Sequence, residues 1–141
     1  MNILIYGVGG IGGFLGSKLI DETINLTFMA RGKRYDFLKK NGLFLKSSLG
    51  NSSVKKIHVI NKIDPDSRFD YIFSTVKLYD FDNSLEEILS LKNKDFIFIP
   101  FQNGIYAEKK AISVLGKEKV CAGVAQISSY IDKEQTVIHI G

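Results

Sequence analysis

The feature that most constrains this chain is a glycine-rich hexapeptide close to its amino end. Its residues, in order, are Gly7, Val8, Gly9, Gly10, Ile11 and Gly12, with the spacing G-x-G-x-x-G. It follows directly the apolar run from Asn2 to Tyr6, which is typical of a strand buried on both faces. After it, apolar residues recur at helical spacing as far as Glu22. A strand therefore turns into a helix at the glycines.

This arrangement predicts a turn that binds the pyrophosphate of a dinucleotide. The first glycine permits a tight turn, the second allows the phosphates to approach the backbone, and the third lets the helix pack closely on the strand. The phosphates then lie on free N–H groups at the positive end of the helix dipole. The alternative is that the glycines serve only the turn and the packing.

The rest of the 141-residue chain alternates strand-like and helix-like segments, which is the pattern of an α/β fold. Strands are predicted at 2–6, 25–30, 70–76, 95–100, 120–127 and 136–140, and helices at 10–22, 33–40, about 85–91 and 107–115. Between Gly42 and Lys62, the runs 43–45 and 57–60 flank a polar turn and predict a hairpin-like excursion. We predict a single Rossmann-type domain, a mostly parallel sheet with helices on both faces.

The residues after the second predicted strand bear on the choice of dinucleotide. A site that prefers NAD normally has Asp or Glu there, about 20 residues after the glycines, to bind the adenine ribose. This chain has Arg31, Lys33 and Arg34 instead. A guanidinium suits bidentate binding of a 2′-phosphate, so we predict NADP(H), with Arg31 as the ligand because it is nearest to the strand end. The alternative is that all three are ordinary surface charges.

Two further polar residues follow predicted strands at the same edge of the sheet. Lys77 comes after the strand at 70–76, and Asn103 after the strand at 95–100. Ligands of open α/β sheets bind outside the carboxyl ends of the strands, so both residues belong at the ligand crevice. A lysine there can donate to ribose hydroxyls or to a substrate carboxylate, and an amide can bridge ribose and substrate. By spacing alone, such residues are more often a solvated lysine and a turn-forming Asn-Gly pair.

Composition argues against several other kinds of chemistry. One cysteine, Cys121, cannot form an intrachain disulfide, and we expect it to be a buried, inert thiol. His58 and His139 lie on strand-like segments and are interpreted as packing or edge residues. With two histidines and one cysteine at no ligand spacing, no metal site is expected.

The charge and hydropathy patterns bear on partners and location. The net charge of +4 arises from basic pairs scattered along the chain, which is typical of solvated faces, so we expect no nucleic-acid partner. No apolar run approaches the roughly 18 residues needed to cross a bilayer, and no leader precedes the first strand. These patterns predict a cytoplasmic protein without a membrane partner.

Four short motifs occur together in this chain, and their combination is more specific than the glycine loop alone. They are Gly7-x-Gly9-x-x-Gly12, Ala30-Arg31, Thr75-Val76-Lys77 and Gln102-Asn103-Gly104. In this order the chain resembles the N-terminal domain of ketopantoate reductase (2-dehydropantoate 2-reductase). The resemblance implies NADPH-dependent reduction of 2-dehydropantoate to pantoate, a step of pantothenate biosynthesis. It also implies a Rossmann domain followed by an all-helical substrate domain.

The resemblance also implies roles for individual residues. The hexapeptide from Gly7 to Gly12 would hold the pyrophosphate and Arg31 the 2′-phosphate. Lys77 and Asn103 would lie on the nicotinamide side, Asn103 also near the substrate, and Ser129 close to the cofactor.

The chain ends at Gly141, before the family's helical domain and its proton-donating lysine. No catalytic residue is therefore assigned here, and we expect weak NADPH binding without turnover of a small 2-keto acid. Self-association is expected through apolar surface that the second domain would cover. The alternative is a non-catalytic, NADP-sensing or regulatory Rossmann module.

Overall fold

A computed structural model describes all residues from 1 to 141, which form two sheets and four helices. The strands are β1 (Asn2–Tyr6), β2 (Asn25–Met29), β3 (Leu43–Ser47), β4 (Ser52–Val54), β5 (His58–Ile60), β6 (Tyr71–Ser74), β7 (Ile97–Pro100), β8 (Ser129–Ile131) and β9 (Val137–His139). The helices are α1 (Gly10–Leu19), α2 (Gly32–Asn41), α3 (Leu78–Leu89) and α4 (Tyr106–Leu115). The predicted α/β alternation is confirmed.

The main sheet has five strands in the order β5-β2-β1-β6-β7, and every neighbouring pair is parallel. The chain runs outward from β1 to β2 and β5 and then returns to place β6 on the other side of β1. The strand order therefore reverses between β1 and β6. In open α/β sheets, the ligand crevice lies outside the carboxyl ends of the strands at such a reversal.

The alternation of side chains along β1 divides the core into two clusters, one on each face of the sheet. Leu4 and Tyr6 pack with the buried faces of α3 and α4, which include Phe81 and Ala111. Ile3 and Ile5 pack in the other cluster, with buried residues of α1 and α2. Helices thus cover both faces, as predicted, and fully buried strands explain the continuous apolar run in the sequence.

Local signals set the ends of the helices. Gly42 at φ 85° follows α2 and Gly116 at φ 94° follows α4, as their predicted stop positions require. Helix α1 ends at Leu19, three residues before the predicted end. The reason is a turn in which the Asp21 carboxylate accepts hydrogen bonds from the backbone N–H and the hydroxyl of Thr23.

The hairpin predicted between Gly42 and Lys62 is only partly correct. Strand β3 does form an antiparallel hairpin, but its partner is β4, inside the stretch read as a polar loop. The apolar run that was expected to complete the hairpin is β5, which instead pairs parallel with β2 as an edge of the main sheet. The sequence pattern of β5 predicts a strand, but it contains no information about which strand β5 pairs with, so it could not distinguish the two sheets.

The strand predicted at 120–127 is wrong. This segment runs beside β7, where the N–H groups of Cys121 and Gly123 donate to the carbonyls of Phe98 and Pro100, but a single bridge at Val120 is its only ladder pairing. Cys121 is exposed on this edge segment, so the expectation of a buried thiol is also wrong.

The second sheet is mixed, with the order β4-β3-β9-β8, and it packs against the outer side of α1. Close approach is possible because Gly13 of α1 faces the side chain of Val137 in β9. His139 of β9 is buried and stacks on Phe14 of α1 with ring centroids 4.3 Å apart. His58 is exposed on the edge strand β5. No helix has the length and apolar character that crossing a bilayer requires.

Candidate functional site

A groove follows the carboxyl edge of the main sheet and passes over the glycine turn, which divides it into two lobes. The first, which we call the Arg31 lobe, has a volume of about 520 Å³ and lies between the glycine turn, the end of β2 and α3. The second, the Lys77 lobe, has a volume of about 400 Å³ and lies between the glycine turn and the ends of β6 and β7. Four residues line both lobes: Gly7, Gly9, Val76 and Asp80.

The glycine turn has the geometry that its spacing predicts. Gly7 adopts φ 100°, and a Cβ there would come within 2.9 Å of the backbone nitrogen of Val76. A Cβ on Gly12 would overlap the carbonyl of Gly7 and the hydroxyl of Thr75, so the third glycine serves close packing. Gly9, the N-cap of α1, has nothing within 4 Å of an added Cβ. No side chain caps α1, so the first N–H groups of the helix face open space suited to phosphate oxygens.

The outer face of this turn is braced by residues distant in sequence. The Ser129 hydroxyl donates to the carbonyl of Gly10 at 2.8 Å, and the Arg34 guanidinium donates through Nε to the carbonyl of Val8 at 2.7 Å. A second donor of Arg34, Nη1, bonds the carbonyl of Gln135 at 2.6 Å. Arg34 thereby ties the glycine turn to the loop between β8 and β9.

Arg34 differs from the other two cations of its cluster because its guanidinium is largely buried. Burial lowers the pKa of Arg34 to about 10, which leaves it cationic at neutral pH. Its Nη2 is buried and has no hydrogen-bond partner. The alternative that Arg34 is an ordinary surface charge is therefore wrong. Arg31 and Lys33, by contrast, are exposed at the rim of the Arg31 lobe.

Arg31 is held by two residues that sequence reasoning did not identify. Its Nη2 donates to the hydroxyl of Tyr6 at 2.8 Å and to Oε2 of Glu87 at 2.5 Å. The Tyr6 hydroxyl in turn donates to Glu87. The Nε and Nη1 groups of Arg31 donate to no protein atom, and the side chain is 60% exposed. The Nη2 end of the guanidinium is thus fixed, while the N–H groups of Nε and Nη1 remain available to an anion.

The electrostatics of this cluster keep Glu87 ionised. Burial opposes its charge, but hydrogen bonds from Tyr6, from the backbone N–H of Ile63 and from Arg31 outweigh that effect and lower the pKa of Glu87. Burial, together with the neighbouring Glu87 carboxylate, raises the pKa of the Tyr6 hydroxyl, which therefore stays protonated. The cluster carries one positive and one negative charge.

In the Lys77 lobe, Lys77 and Asn103 are exposed and make no side-chain hydrogen bonds. Lys77 precedes the first residue of α3, and Asn103 lies in the turn between β7 and α4. Gln102 connects these two turns, because its amide nitrogen donates to the carbonyls of Ser74 and Val76 at 3.1 and 2.9 Å. The other amide atom of Gln102, Oε1, is buried without a partner.

The groove therefore brings together the residues that the sequence singled out. The predicted site residues that line one of the two lobes are Gly7, Val8, Gly9, Gly10, Ile11, Arg31, Lys77, Asn103 and Ser129. The remaining one, Gly12, packs beneath the turn. The position of Tyr6 at the carboxyl end of β1 could have indicated that residue. Nothing in the local sequence marks Glu87, which reaches the site from the third turn of α3. No group of three or more His, Cys, Asp and Glu residues is placed to hold a metal ion.

The parallel sheet, the glycine turn and the groove at the strand-order reversal define a Rossmann-type domain. The family model described as "Ketopantoate reductase PanE/ApbA" matches residues 3–141. The chain belongs to the ketopantoate reductase family, whose members are NAD(P)-dependent oxidoreductases.

Similar proteins agree with this assignment. The chain is 30% identical over 139 residues to an uncharacterized oxidoreductase, YkpB, of Bacillus subtilis, covering 99% of this chain and 45% of that protein. It is also 30% identical over 106 residues to a 2-dehydropantoate 2-reductase of Mesorhizobium japonicum, covering 74% of this chain and 32% of that protein. The chain thus spans less than half the length of these relatives, and it matches their N-terminal part.

Solved structures share the fold at lower identity. A 2-dehydropantoate 2-reductase from Geobacter metallireducens has a TM-score of 0.85 at 23% identity, covering 100% of this chain and 46% of that one. A D-mandelate dehydrogenase in a ternary structure with NADH and anilino(oxo)acetate has a TM-score of 0.88 at 20% identity, covering 100% of this chain and 46% of that one. One fold therefore occurs in proteins whose names indicate different substrates.

Proposed function

We propose that this chain is the NADP(H)-binding domain of a 2-keto acid reductase that converts 2-dehydropantoate to pantoate in pantothenate biosynthesis. The observation that carries the proposal is the pair of adjoining lobes on either side of the glycine turn, with the Nε and Nη1 groups of Arg31 free of protein partners in one of them. Membership of a family of oxidoreductases supports a reduction as the reaction. Two relatives, from Mesorhizobium japonicum and Pyrococcus horikoshii, are named 2-dehydropantoate 2-reductase, which supports 2-dehydropantoate as the substrate.

In this proposal the residues of the groove divide the cofactor between them. N–H groups at the start of α1 bind the pyrophosphate above Gly9, where no Cβ obstructs approach. The remaining N–H groups of Arg31 bind the 2′-phosphate, and Lys77 and Asn103 bind the nicotinamide side. The bound nicotinamide supplies the hydride for the ketone. Asn103 also orients the substrate, a small-molecule 2-keto acid.

In this proposal, the proton donor belongs to a helical second domain beyond residue 141. Residues 1–141 alone therefore bind the cofactor without turning over the substrate. The protein acts in the cytoplasm and has no nucleic-acid or membrane partner. The proposal also includes self-association of the protein into a homo-oligomer. Its basis is the apolar surface that Tyr79 and Ile105, which are 83% and 62% exposed, leave next to residues of the Lys77 lobe.

Side-by-side titrations of the domain with NADPH and NADH, followed by cofactor fluorescence, test the cofactor assignment. We expect tighter binding of NADPH. Arg31→Ala should weaken NADPH binding by about 1.5 to 3 kcal/mol, because a charge-assisted phosphate contact is lost, and should leave NADH binding nearly unchanged. Arg68→Ala, which removes an exposed arginine outside the groove, is the control. NADH binding as tight as NADPH binding by the unmodified domain would contradict the assignment.

A further inference from the structure

A carboxylate lies directly behind the wall of the lobe where the proposed cofactor presents its most negative group. It belongs to Glu87 of α3, which contacts the lining residues Tyr6 and Arg31 and whose side chain is only 18% exposed. Both of its oxygens are engaged: Oε1 accepts from the backbone N–H of Ile63 at 2.9 Å, and Oε2 accepts from Tyr6 and Arg31. Because a main-chain group and a buried ring hold it, Glu87 cannot turn away from Arg31 without losing several hydrogen bonds.

This contact has two opposite consequences for Arg31. The carboxylate fixes Nη2 of the guanidinium, so less side-chain freedom is lost when a ligand binds the remaining N–H groups. It also places a full negative charge 2.5 Å from Nη2, which reduces the positive potential that a 2′-phosphate meets. A phosphate bound at Nε or Nη1 would be only the width of one guanidinium away from Glu87. Repulsion between the two anions is therefore only partly screened.

Other charged residues of the lobe do not remove this negative charge. Lys33 is exposed on the rim, and Arg34 directs its Nε and Nη1 donors to carbonyls of Val8 and Gln135. Asp80, on the same helix as Glu87, adds a second negative charge, and this residue lines the lobe. Glu87 is the acidic residue whose ion pair joins it directly to Arg31.

We propose that Glu87 is a specificity-determining residue that limits the preference of this site for NADP(H) over NAD(H) by partly neutralising Arg31. The inference rests on the proposed function, because it concerns how the same lobe distinguishes a 2′-phosphate from a 2′-hydroxyl. The preference for NADP(H) over NAD(H) then depends on the balance between the positive charge of Arg31 and the negative charge of Glu87. A substitution of Glu87 shifts this preference without adding a contact to the cofactor.

The test compares the ratio of the NADH and NADPH dissociation constants in the unmodified domain and in Glu87→Gln. We expect the ratio to rise about fivefold, mainly through tighter NADPH binding, because a charge is removed while the side-chain shape is kept. Glu86→Gln is the matched control: it removes the same charge from an exposed neighbouring position on α3, and we expect an unchanged ratio. Glu87→Met, which is neutral and similar in length, repeats the test if the glutamine variant fails to fold.

Two further variants separate charge from geometry. Tyr6→Phe loosens Arg31 but keeps the Glu87 charge, so it should not raise the ratio. In an Arg31→Ala background, Glu87→Gln should have a smaller effect, because the contact that holds the phosphate close to Glu87 is lost. A ratio that stays constant or falls in Glu87→Gln, or that rises equally in Glu86→Gln, overturns the inference while leaving the proposed function intact. Failure of the unmodified domain to bind either cofactor overturns both.

Discussion

The two lobes of the groove differ in how completely this chain builds them. In the Arg31 lobe, the polar groups are interlocked: Arg31, Tyr6 and Glu87 bond one another, and Arg34 ties the glycine turn to the loop after β8. In the Lys77 lobe, Lys77 and Asn103 make no side-chain hydrogen bonds and are exposed. Gln102 and Ser129 of the Lys77 lobe are hydrogen-bonded to the backbone, but the two side chains proposed to bind the nicotinamide side are not held in place before a ligand arrives.

The apolar residues around the lobes show the same contrast. Leu78 lines the Lys77 lobe and is 47% exposed, and its neighbour Tyr79 is 83% exposed. In the Arg31 lobe, Tyr6 and Met29 are almost fully buried. Preorganisation lowers the cost of ordering side chains on binding, so this chain should bind the adenosine part of a dinucleotide far better than the nicotinamide part. Substitutions can therefore test each lobe separately.

The largest effect is expected from Gly12→Ala, because Gly12 packs beneath the turn that both lobes share. The added methyl group would overlap the Gly7 carbonyl and the Thr75 hydroxyl, and should lower the free energy of unfolding by about 3 kcal/mol. Urea denaturation followed by circular dichroism measures this loss. Gly9→Ala is the control, since its methyl group meets open space, and it should weaken cofactor binding with little change in stability. Equal destabilisation by both variants would contradict the division of roles.

A smaller effect, confined to the Lys77 lobe, is expected from Gln102→Leu. The variant leaves the carbonyl of Val76 without its side-chain donor, removes one of the two donors to the Ser74 carbonyl, and should cost about 2 kcal/mol of unfolding free energy. Binding of 2′,5′-ADP, which occupies the Arg31 lobe in our proposal, should be unchanged. Gln126→Leu, at an exposed position without side-chain hydrogen bonds, serves as the comparison. Loss of 2′,5′-ADP binding in Gln102→Leu would show that the lobes are not independent.

Ser129→Ala tests the brace on the outer face of the glycine turn. It removes one hydrogen bond, from the hydroxyl to the Gly10 carbonyl, and should lower the free energy of unfolding by about 1 kcal/mol. Thermal unfolding of this variant beside Ser128→Ala isolates the contact, because Ser128 is exposed and its hydroxyl makes no hydrogen bond. If the two variants melt at the same temperature, the brace does not stabilise the turn.

The smallest effect concerns stability in acid. The pKa of Glu87 is lowered on folding from its usual 4.5, so its ionised form stabilises the fold above that pH, and the contribution is lost as the pH falls through the folded pKa. Since Arg31 is largely exposed, we expect only about 0.5 kcal/mol from the pair. Unfolding curves below pH 5 should therefore be slightly less pH-dependent in Glu87→Gln than in Glu86→Gln. A steeper dependence in Glu87→Gln would contradict the lowered pKa.

Much of the fold was predictable because its signals are local. The glycine spacing, the apolar run of β1 and the stop glycines Gly42 and Gly116 each act within a few residues. The partner of β5 was not predictable, because an alternating strand fits either sheet until tertiary packing selects one. The segment after Val120 has the composition of a strand, yet it forms only one regular bridge to β7.

In the site too, residues marked by local signals were predictable, and contacts between residues distant in sequence were not. Arg31, Lys77 and Asn103 follow strand ends, so the topology of an α/β sheet brings them to one edge. Glu87 lies 56 residues from Arg31, and only the packing of α3 on the sheet brings the two together. Arg34 had the sequence signature of a surface cation, yet its guanidinium donates to the Gln135 carbonyl, 101 residues away. Contacts of this separation leave no mark on local sequence.

Binding of the two halves of the cofactor tests the contrast between the lobes most directly. Isothermal titration of the unmodified domain with 2′,5′-ADP and, separately, with nicotinamide mononucleotide measures each lobe alone. We predict that 2′,5′-ADP retains most of the binding free energy of NADPH, and that nicotinamide mononucleotide gives no measurable binding. Comparable affinity for the two halves, or binding of nicotinamide mononucleotide alone, would contradict the conclusion that this chain organises the adenosine side of the site.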